Sequence, residues 1–328
     1  MADVARLAGV SSQTVSRVSN GSPGVVEDTR QRVLAAMKEL GYRPNSAARA
    51  LKAGEFRTLG VILFTLSTTG NVRTLEAITE SAAKEGYAIT LMPVLPTRTG
   101  VRGAFDRLGE LAVDGIIVIM EVHLLDSATV QLPPHIKVVV ADSDAGDRYS
   151  VVDTDQSEGA RMAVQHLVDL GHDTVWHLAG PEGSFAAQRR TDAWRGVLEN
   201  AGRPVPPVVQ GDWSADSGYR AGLLLADESD CTAVFVANDQ MALGLLRALH
   251  ERGKRVPEDV SVVGFDDIAE ASSFIPPLTT IHQDFDEVGR RCVEGVLHQI
   301  RNQTAEQGTT LVPTRMVVRA STAAPPHH

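Results

Sequence analysis

The sequence has few features that support redox chemistry, metal binding or membrane insertion. Its 328 residues include two cysteines, Cys231 and Cys292, which lie far apart and show no Cys-x-x-Cys or Cys/His ligand spacing. We expect both to be small buried side chains in a reducing compartment, with no metal site and no cofactor. No apolar run is long enough to span a bilayer, and no secretory signal is recognisable. A cytoplasmic protein without membrane association is predicted.

Several catalytic signatures are also missing. The chain contains no Gly-x-Ser-x-Gly, no Walker phosphate loop, no His-Glu-x-x-His and no Gly-x-Gly-x-x-Gly after a first strand. These absences argue against serine hydrolases, P-loop nucleotidases, zinc peptidases and dinucleotide-dependent enzymes. We therefore predict that the protein is not an enzyme.

Length and charge indicate more than one folding unit. The chain exceeds the ~100 to 200 residues usual for one domain, so two or three units are expected. Residues 1–57 hold nine Lys/Arg against five Asp/Glu, a charge of +4, whereas the remainder holds 22 against 36, a charge of −14. Only the N-terminal segment is therefore suited to contact phosphates.

Residues 3–20 show two short amphipathic helical patterns joined by the turn AGVSS. The predicted apolar faces are Val4, Ala5, Leu7 and Ala8 on the first helix, and Val15 and Val18 on the second. Ser11 or Ser12 is expected to cap the second helix. The first helix has no Ser or Thr before it, so Asp3 is expected to cap it instead. The pattern predicts a helix-turn-helix; the alternative is an ordinary helical hairpin with a polar surface.

The second of these helices carries side chains suited to base edges. Gln13 and Arg17 lie one turn apart, and Gln pairs with adenine and Arg with guanine in the major groove. A third helix is predicted at residues 29–42, with its apolar positions at Val33, Leu34, Met37, Leu40 and Tyr42. After it, Pro44 and Asn45 begin a short alanine-rich helix that ends at Leu51; alone, such a stretch is equally consistent with a plain linker.

From residue 59 onward, short apolar runs alternate with amphipathic helical patterns, which is typical of parallel βαβ construction. The predicted strands are 59–64, 88–94, 114–120, 137–142 and 149–153, followed by 174–180, 208–212, 232–238, 260–265, 279–283 and 311–319. Two comparable series predict two doubly wound halves with a cleft between them. Such sheets bind ligands beyond the carboxyl ends of their strands.

Polar or aromatic residues follow several of these strands, namely Asp142, Trp213, Asn238, Asp266 and Gln283. Carboxylates and amides that bind vicinal hydroxyls, beside an indole face, complement a sugar. Each residue also has an ordinary structural interpretation. Asn238 and Asp266 are candidates to cap helices or turns, Arg190 to form a surface ion pair, Trp213 to anchor the core, and Phe285 to begin a helix at 285–300.

The sequence resembles the LacI/GalR family of bacterial transcription regulators over nearly its whole length. The resemblance rests on VSSQTVSRVSN, VLAAMKELGYRPN and AARAL near the start, and on HLVDLGHDTVWHLAGP, GDWSADSGY, VANDQMALG, DVSVVGFDD and FIPPLTTIHQDF. It implies an α/β fold class, in which an N-terminal all-α helix-turn-helix domain precedes a two-lobed, doubly wound parallel-sheet core like that of periplasmic binding proteins.

The implied domains are a DNA-binding domain at 1–44, a hinge helix and linker at 45–57, and an effector-binding core at 58–320. Within the core, the N-subdomain takes about 58–153 plus 284–308, and the C-subdomain about 154–283 plus 309–320. Residues 321–328 are expected to form a disordered tail.

The resemblance also implies functional residues. Those expected to contact DNA are Ser12, Gln13, Thr14, Ser16, Arg17, Asn20, Asn45, Ala48 and Leu51, with Leu51 as a wedge in the minor groove. Those expected to contact the effector are Asp142, Arg190, Trp213, Asn238, Asp266, Gln283 and Phe285. Among the latter, Trp213 and Phe285 are expected to line the stacking face.

Four features of the sequence affect these expectations. Ala112 stands where the family often has an arginine, and the stretch 65–73 is unusually polar for a pocket wall. The sequence ends without leucine heptads, so a dimer is expected. It also starts several residues short of the usual pattern, which leaves open a start upstream of Met1.

Together these features predict a homodimeric repressor of a bacterial carbohydrate-utilisation operon, associated with the nucleoid when it is bound to a palindromic operator. A sugar or glycoside inducer, like a galactoside or glucoside, is expected to release it. One alternative is a corepressor-dependent regulator that binds a purine or another small metabolite. Another is a stand-alone periplasmic sugar-binding protein, which the helix-turn-helix argues against.

Overall fold

The computed structural model describes residues 1–19, 22–42, 55–94, 98–111, 113–119, 136–142 and 148–326, and it divides the chain into two compact units, Met1–Phe56 and Arg57–His328. Six positions singled out from the sequence lie outside the described residues: Asn20, Pro44, Asn45, Ala48, Leu51 and Ala112. Their predicted roles remain predictions.

The first unit contains the three predicted helices, α1 (Ala2–Ala8), α2 (Ser12–Ser19) and α3 (Glu27–Glu39). Their buried faces meet in one small core formed by Val4, Ala5, Ala8, Val15, Val18, Val33, Ala36 and Met37. Helix α1 ends at Gly9, which has a φ of 64°. Glycine adopts this left-handed conformation without steric cost, so the chain can turn sharply into α2.

Three predicted core side chains of this unit lie instead near its surface. Leu7, Leu34 and Leu40 are 47%, 44% and 47% exposed. The small core is already filled by eight other side chains, three of them alanines, and these leucines lie outside it. The expectation for Asp3 is also wrong, since Asp3 lies inside the first turn of α1 and makes no side-chain cap hydrogen bond.

The N-subdomain of the second unit is built on a six-stranded sheet in the order β11-β5-β4-β3-β1-β2, with all neighbours parallel. Its strands are β1 (Thr58–Leu63), β2 (Ala88–Pro93), β3 (Gly115–Ile119), β4 (Lys137–Ala141), β5 (Ser150–Thr154) and β11 (Gly308–Val312). Its helices are α4 (Thr69–Lys84), α5 (Arg98–Glu110) and α10 (Phe285–Asn302). Apolar clusters cover both faces of the sheet.

The C-subdomain contains a four-stranded parallel sheet in the order β7-β6-β8-β9 and an antiparallel pair of β10 and β12. Its strands are β6 (Trp176–Ala179), β7 (Val209–Gln210), β8 (Ala233–Val236), β9 (Ser261–Val263), β10 (Thr280–His282) and β12 (Arg315–Val317). Its α-helices are α6 (Gln156–Asp169), α7 (Phe185–Asn200), α8 (Ala215–Leu225) and α9 (Asp239–Glu251). Both faces of the four-stranded sheet are again buried. The predicted fold class is confirmed.

The chain passes between the subdomains three times: between β5 and α6, between β10 and α10, and between β11 and β12. The single strand predicted at 311–319 is wrong, because Pro313 separates β11 from β12, and proline lacks the N–H that a central ladder needs. Since β11 pairs with β5, residues 309–312 belong to the N-subdomain and not, as predicted, to the C-subdomain.

The expectation of a disordered segment from residue 321 is also corrected. Ser321 is fully buried, and its hydroxyl donates to the carbonyl oxygen of Val262 at 2.6 Å. The carbonyl of Ala323 lies 3.0 Å from Nε2 of buried His172. Residues 321–326 therefore pack on the C-subdomain. Among the described residues, no helix is long and apolar enough to cross a membrane.

Candidate effector cleft and DNA-binding helix

A cleft lies between the two subdomains, beyond the carboxyl ends of their strands. Its non-protein space, open mouth included, is about 630 Å³. All seven side chains predicted to contact the effector line it: Asp142, Arg190, Trp213, Asn238, Asp266, Gln283 and Phe285. The topology brings them together because parallel strands end at the same sheet edge, as expected for a switch-point site.

Arg190, on α7, is the cation at the centre of the cleft and is 4% exposed. Its Nε and Nη2 donate to Oε1 of Gln156 at 2.9 and 2.7 Å, and its Nη1 donates to the carbonyl oxygen of Ala237. Its guanidinium carbon lies 3.7 Å from the centroid of the Phe265 ring. The ordinary interpretation of Arg190 as a surface ion-pair member is therefore wrong.

The hydrogen bonds continue from Gln156 to Gln283 and Asp266, and an ion pair between Asp266 and Arg190 completes a ring. Nε2 of Gln156 donates to Oε1 of Gln283 at 3.3 Å, and Nε2 of Gln283 donates to Oδ1 of Asp266 at 2.6 Å. The same Asp266 oxygen lies 3.9 Å from Nη1 of Arg190. These four buried side chains, Arg190, Gln156, Gln283 and Asp266, are called the polar ring below. Their mutual hydrogen bonds and the ion pair restrict the orientations of these side chains.

A second ion pair joins the subdomains beside the ring. Asp153, at the end of β5, is 2% exposed and forms an ion pair with Arg189 of α7. Burial raises the pKa of Asp153, and the Arg189 guanidinium opposes that rise. The carboxylate therefore depends on this arginine for its charge.

Two aromatic side chains lie on opposite sides of the cleft. The indole of Trp213 rests on Gly180 so closely that an added Cβ there would lie 2.2 Å from the ring. The Phe285 ring faces Gly70 at an ordinary distance, with 3.4 Å to the corresponding Cβ position. Within the described part of the chain, the buried indole N–H of Trp213 has no hydrogen-bond partner.

Asn238 caps a helix, as one of its two interpretations from the sequence predicted. Its Oδ1 accepts from the backbone N–H of Met241 at 2.9 Å and caps α9, while its Nδ2 donates to the Trp213 carbonyl at 3.1 Å. Asp266 caps no helix in the described residues, because its side chain belongs to the polar ring. Asp142, Trp213 and Asp266 all have positive φ values, 55°, 72° and 117°, which turn the chain at the cleft.

A further carboxyl group, Asp239, is fully buried behind the ring. Desolvation, with the Asp266 charge as the second cause, raises its pKa to about 8, although Thr280 and the backbone N–H of Ile268 donate to it. Burial likewise lowers the pKa of His177 to about 4, so this histidine is neutral at pH 7.

Sequence reasoning missed eight polar side chains that line the cleft: Thr68, Thr69, Asn71, Thr74, Asp153, Thr154, Gln156 and Ser184. Asp153 and Gln156 flank the first crossover between subdomains. A predicted strand that ends in Asp153 just before a helix is the sequence pattern that could have identified them. Asn71 and Thr74 lie one turn apart on α4, so their spacing could have indicated a shared face.

The predicted DNA-binding helix is exposed on its polar side. The Ser11 hydroxyl accepts from the backbone N–H of Thr14 at 3.1 Å, so Ser11 rather than Ser12 caps α2. Ser12, Gln13 and Arg17 are exposed, whereas Thr14 and Ser16 are partly buried. This end of α2 therefore presents side chains and the positive end of its dipole together.

Comparison with known proteins matches two parts of the chain to described families. Residues 1–45 match the family described as bacterial regulatory proteins, lacI family, and residues 164–322 match the periplasmic binding protein-like domain. The lactose operon repressor of Escherichia coli K12 is 37% identical over 330 residues, which cover 98% of this chain and 90% of that protein. The HTH-type transcriptional repressor PurR of Haemophilus influenzae is 33% identical over 305 residues, covering 92% of this chain and 91% of that protein.

The fold is similar to that of a solved lac repressor dimer bound to operator and the anti-inducer ONPF. The TM-score is 0.89 at 35% identity, and the match covers 98% of each chain. A helix-turn-helix domain and a two-lobed ligand-binding core are thus shared over almost the entire length. The chain therefore belongs to the lacI family of bacterial regulatory proteins and is a DNA-binding transcriptional repressor.

Proposed function

We propose that this repressor controls carbohydrate-utilisation genes as a homodimer on a palindromic operator, and that a neutral sugar or glycoside in the cleft releases it. The observation that carries the proposal is the polar ring, which holds buried donors and acceptors beside the indole face of Trp213. Such a site binds hydroxyls by hydrogen bonding and a pyranose C–H face by stacking.

The charges of the cleft favour a neutral ligand. Asp142, Asp153 and Asp266 line it together with Arg190, and Arg189 neutralises Asp153. A phosphate or carboxylate would meet a net negative environment in a largely desolvated site. Hydroxyl groups can donate to these carboxylates and accept from Arg190, so an uncharged polyol is complementary.

The three crossovers provide the route from the cleft to operator affinity. A ligand that touches both subdomains stabilises one relative orientation of them, and it shifts the equilibrium only by its difference in affinity for the two states. A thousandfold loss of operator affinity requires roughly 4 kcal/mol of such preference. In a two-fold symmetric dimer, the two half-sites lie about one helical turn apart.

Exposed apolar side chains of the C-subdomain support a homodimer. Ile275, Leu224 and Leu243 are 93%, 65% and 47% exposed. Side chains of this size and exposure are suited to an interface between copies. We expect Ile275→Asp to shift the protein from dimer to monomer in analytical ultracentrifugation; an unchanged sedimentation coefficient would remove Ile275 from the proposed interface.

A ligand screen followed by an operator titration tests the proposed effector class. Thermal unfolding is measured with lactose, cellobiose, D-galactose, D-glucose, D-ribose and hypoxanthine, because a ligand at a hundred times its Kd stabilises by about 2.7 kcal/mol. Operator duplexes are selected from random sequences, and their affinity is then measured with each compound. A sugar that binds and weakens the operator complex supports the proposal. A purine that strengthens the complex favours the corepressor alternative instead.

The DNA-binding role of Arg17 has a separate test. Arg17→Ala is expected to lower the affinity for the selected operator by about 1 to 3 kcal/mol and to relax preference at the base it contacts. Arg6→Ala, at an exposed arginine of α1, is the matched control and should leave base preference unchanged. An Arg17 variant with the wild-type preference contradicts the role.

A further inference from the structure

Gln156 occupies a position that neither the sequence motifs nor the relatives assign a task. It is 4% exposed and begins α6, directly after the first crossover between the subdomains. Its Oε1 accepts from both Nε and Nη2 of Arg190 at 2.9 and 2.7 Å. A single amide oxygen thus binds one whole edge of the guanidinium and leaves Nη1 on the side of Asp266.

The other half of the Gln156 amide makes a second connection. Its Nε2 donates to Oε1 of Gln283, which lies in the second crossover between β10 and α10. The Gln156–Gln283 hydrogen bond is buried and joins residues 127 positions apart in sequence. Two of the three segments that link the subdomains are therefore tied to each other and to Arg190.

Only a side chain with both a donor and an acceptor can make these connections together. A carboxylate at position 156 would keep the acceptor for Arg190 and lose the donor for Gln283 and for Asp153, whereas an apolar side chain would lose all of these contacts. The guanidinium also packs on Phe265 and donates to Ala237, so its position is fixed from three directions. The Gln156 amide is the contact that reaches the crossovers.

We infer that Gln156 is a positioning residue, which orients Arg190 for the effector. Through Gln283, Gln156 also transmits the binding of an effector in the cleft to the crossovers. The inference rests on the proposed function, because it takes Arg190 and Asp266 as the groups that meet the effector. Two different atoms of the Gln156 side chain then have different tasks. Oε1, which binds Arg190, determines the affinity for the effector, and Nε2, which binds Gln283, determines how far the effector releases the operator.

Two variants of the full-length protein separate these atoms. Gln156→Leu removes the hydrogen bonds to Arg190 and to Gln283 and is expected to weaken binding of any sugar that stabilises the wild type at least about tenfold. Gln156→Glu keeps the acceptor, so sugar affinity should stay within about threefold, while the ratio of operator affinities without and with that sugar should fall about tenfold. Gln165→Leu is the matched control, since Gln165 lies on the same helix and bonds Asp169 at the solvent-exposed surface.

A spectroscopic measurement tests the positioning without a sugar. In arginine-labelled protein, the Nε–H signal of Arg190, assigned by its absence in Arg190→Lys, should be protected from exchange in the wild type and in Gln156→Glu. It should lose that protection in Gln156→Leu. Protection that persists in Gln156→Leu, or operator release that is equal in all variants, overturns the inference. If no sugar of the screen binds the wild type while protection still depends on Gln156, the positioning is supported and the sugar proposal fails.

Discussion

The two faces of the effector cleft are built in different ways. On the C-subdomain face, Arg190 and Asp266 are nearly fully buried and are joined through the polar ring. On the N-subdomain face, Thr68 and Thr69 begin α4 and are only partly buried. The contacts between the faces include the Asp153–Arg189 ion pair and a hydrogen bond from Gln240 to Thr69. One face is thus preorganised, while the other has more freedom to adjust to a ligand.

This difference indicates where affinity arises and where movement occurs. Side chains that are already fixed lose little freedom when a ligand binds, so the C-subdomain face contributes affinity at low entropic cost. We expect the N-subdomain face to close on the ligand at Thr68 and Thr69, which are only partly buried. We expect substitutions on the two faces to differ in size and in kind.

The largest expected effect comes from the ion pair that joins the faces. Arg189→Met leaves the Asp153 carboxylate buried without its cation, which should lower the free energy of unfolding by about 3–5 kcal/mol in urea titrations. Adding Asp153→Asn should recover most of that loss. Arg161→Met, which removes an exposed pair with Glu158, is the control and should cost less than about 1 kcal/mol. Equal losses in the two single variants would mean that the faces are not tied here.

The next effect contrasts one polar residue from each face. Arg190→Ala should weaken sugar binding about tenfold to a hundredfold, because hydrogen bonds to charged groups contribute about 1.5–3 kcal/mol. Thr74→Val, on the N-subdomain face, should weaken it less than about tenfold. Both affinities are measured by titration calorimetry, and operator affinity without sugar should stay at the wild-type level. A larger effect from Thr74 would reverse the assignment of the preorganised face.

A third contrast uses the glycines beneath the two aromatic rings. Gly180→Ala should displace Trp213 and cost about 1–3 kcal/mol of stability, since the added methyl would lie 2.2 Å from the indole. Gly70→Ala should be tolerated, because Phe285 is at van der Waals distance from the new atom. Thermal unfolding and tryptophan fluorescence report both changes. Gly183→Ala, with no atom within 4 Å of its Cβ position, is the control.

The last expected effect, measured as a slope rather than as a single loss, is a pH dependence of the C-subdomain. The pKa of Asp239 is about 8 in the folded state, against an ordinary value of 3.8, so the folded protein retains a proton that the unfolded chain releases. Asp239 therefore makes the free energy of unfolding fall as pH rises from about 4 to about 8, by at most about 1.4 kcal/mol per pH unit. Asp239→Asn should flatten this slope in urea titrations between pH 5 and pH 8. A slope equal to that of the wild type contradicts a protonated Asp239.

Several parts of the fold follow from local sequence signals. The alternation of apolar strands and amphipathic helices predicted both doubly wound sheets, because that pattern buries a parallel sheet on two sides. The serine before α2 indicated its cap, and Pro313 could have indicated the break between β11 and β12. The seven predicted effector residues came from strand ends and family motifs, and all of them line the cleft.

Other features depend on contacts between residues distant in sequence. Leu7, Leu34 and Leu40 have helical spacing like that of core residues, yet the small inter-helix contact leaves them near the surface. Ser321 gives no local signal of order and is buried only because the C-subdomain supplies its partners. The subdomain that receives β11 is likewise decided by pairing with β5, which no local pattern encodes.

The sequence alone determined the family, the order of the elements and the side chains that meet at the strand ends, since these depend on periodicity, capping and motif. The tertiary structure alone decided how those side chains are joined. The polar ring needs Gln156, Arg190, Asp266 and Gln283 to approach from four separate segments. Hydrogen bonds of this kind act over about 3 Å, so their partners are chosen by the folded backbone and not by neighbours in the chain.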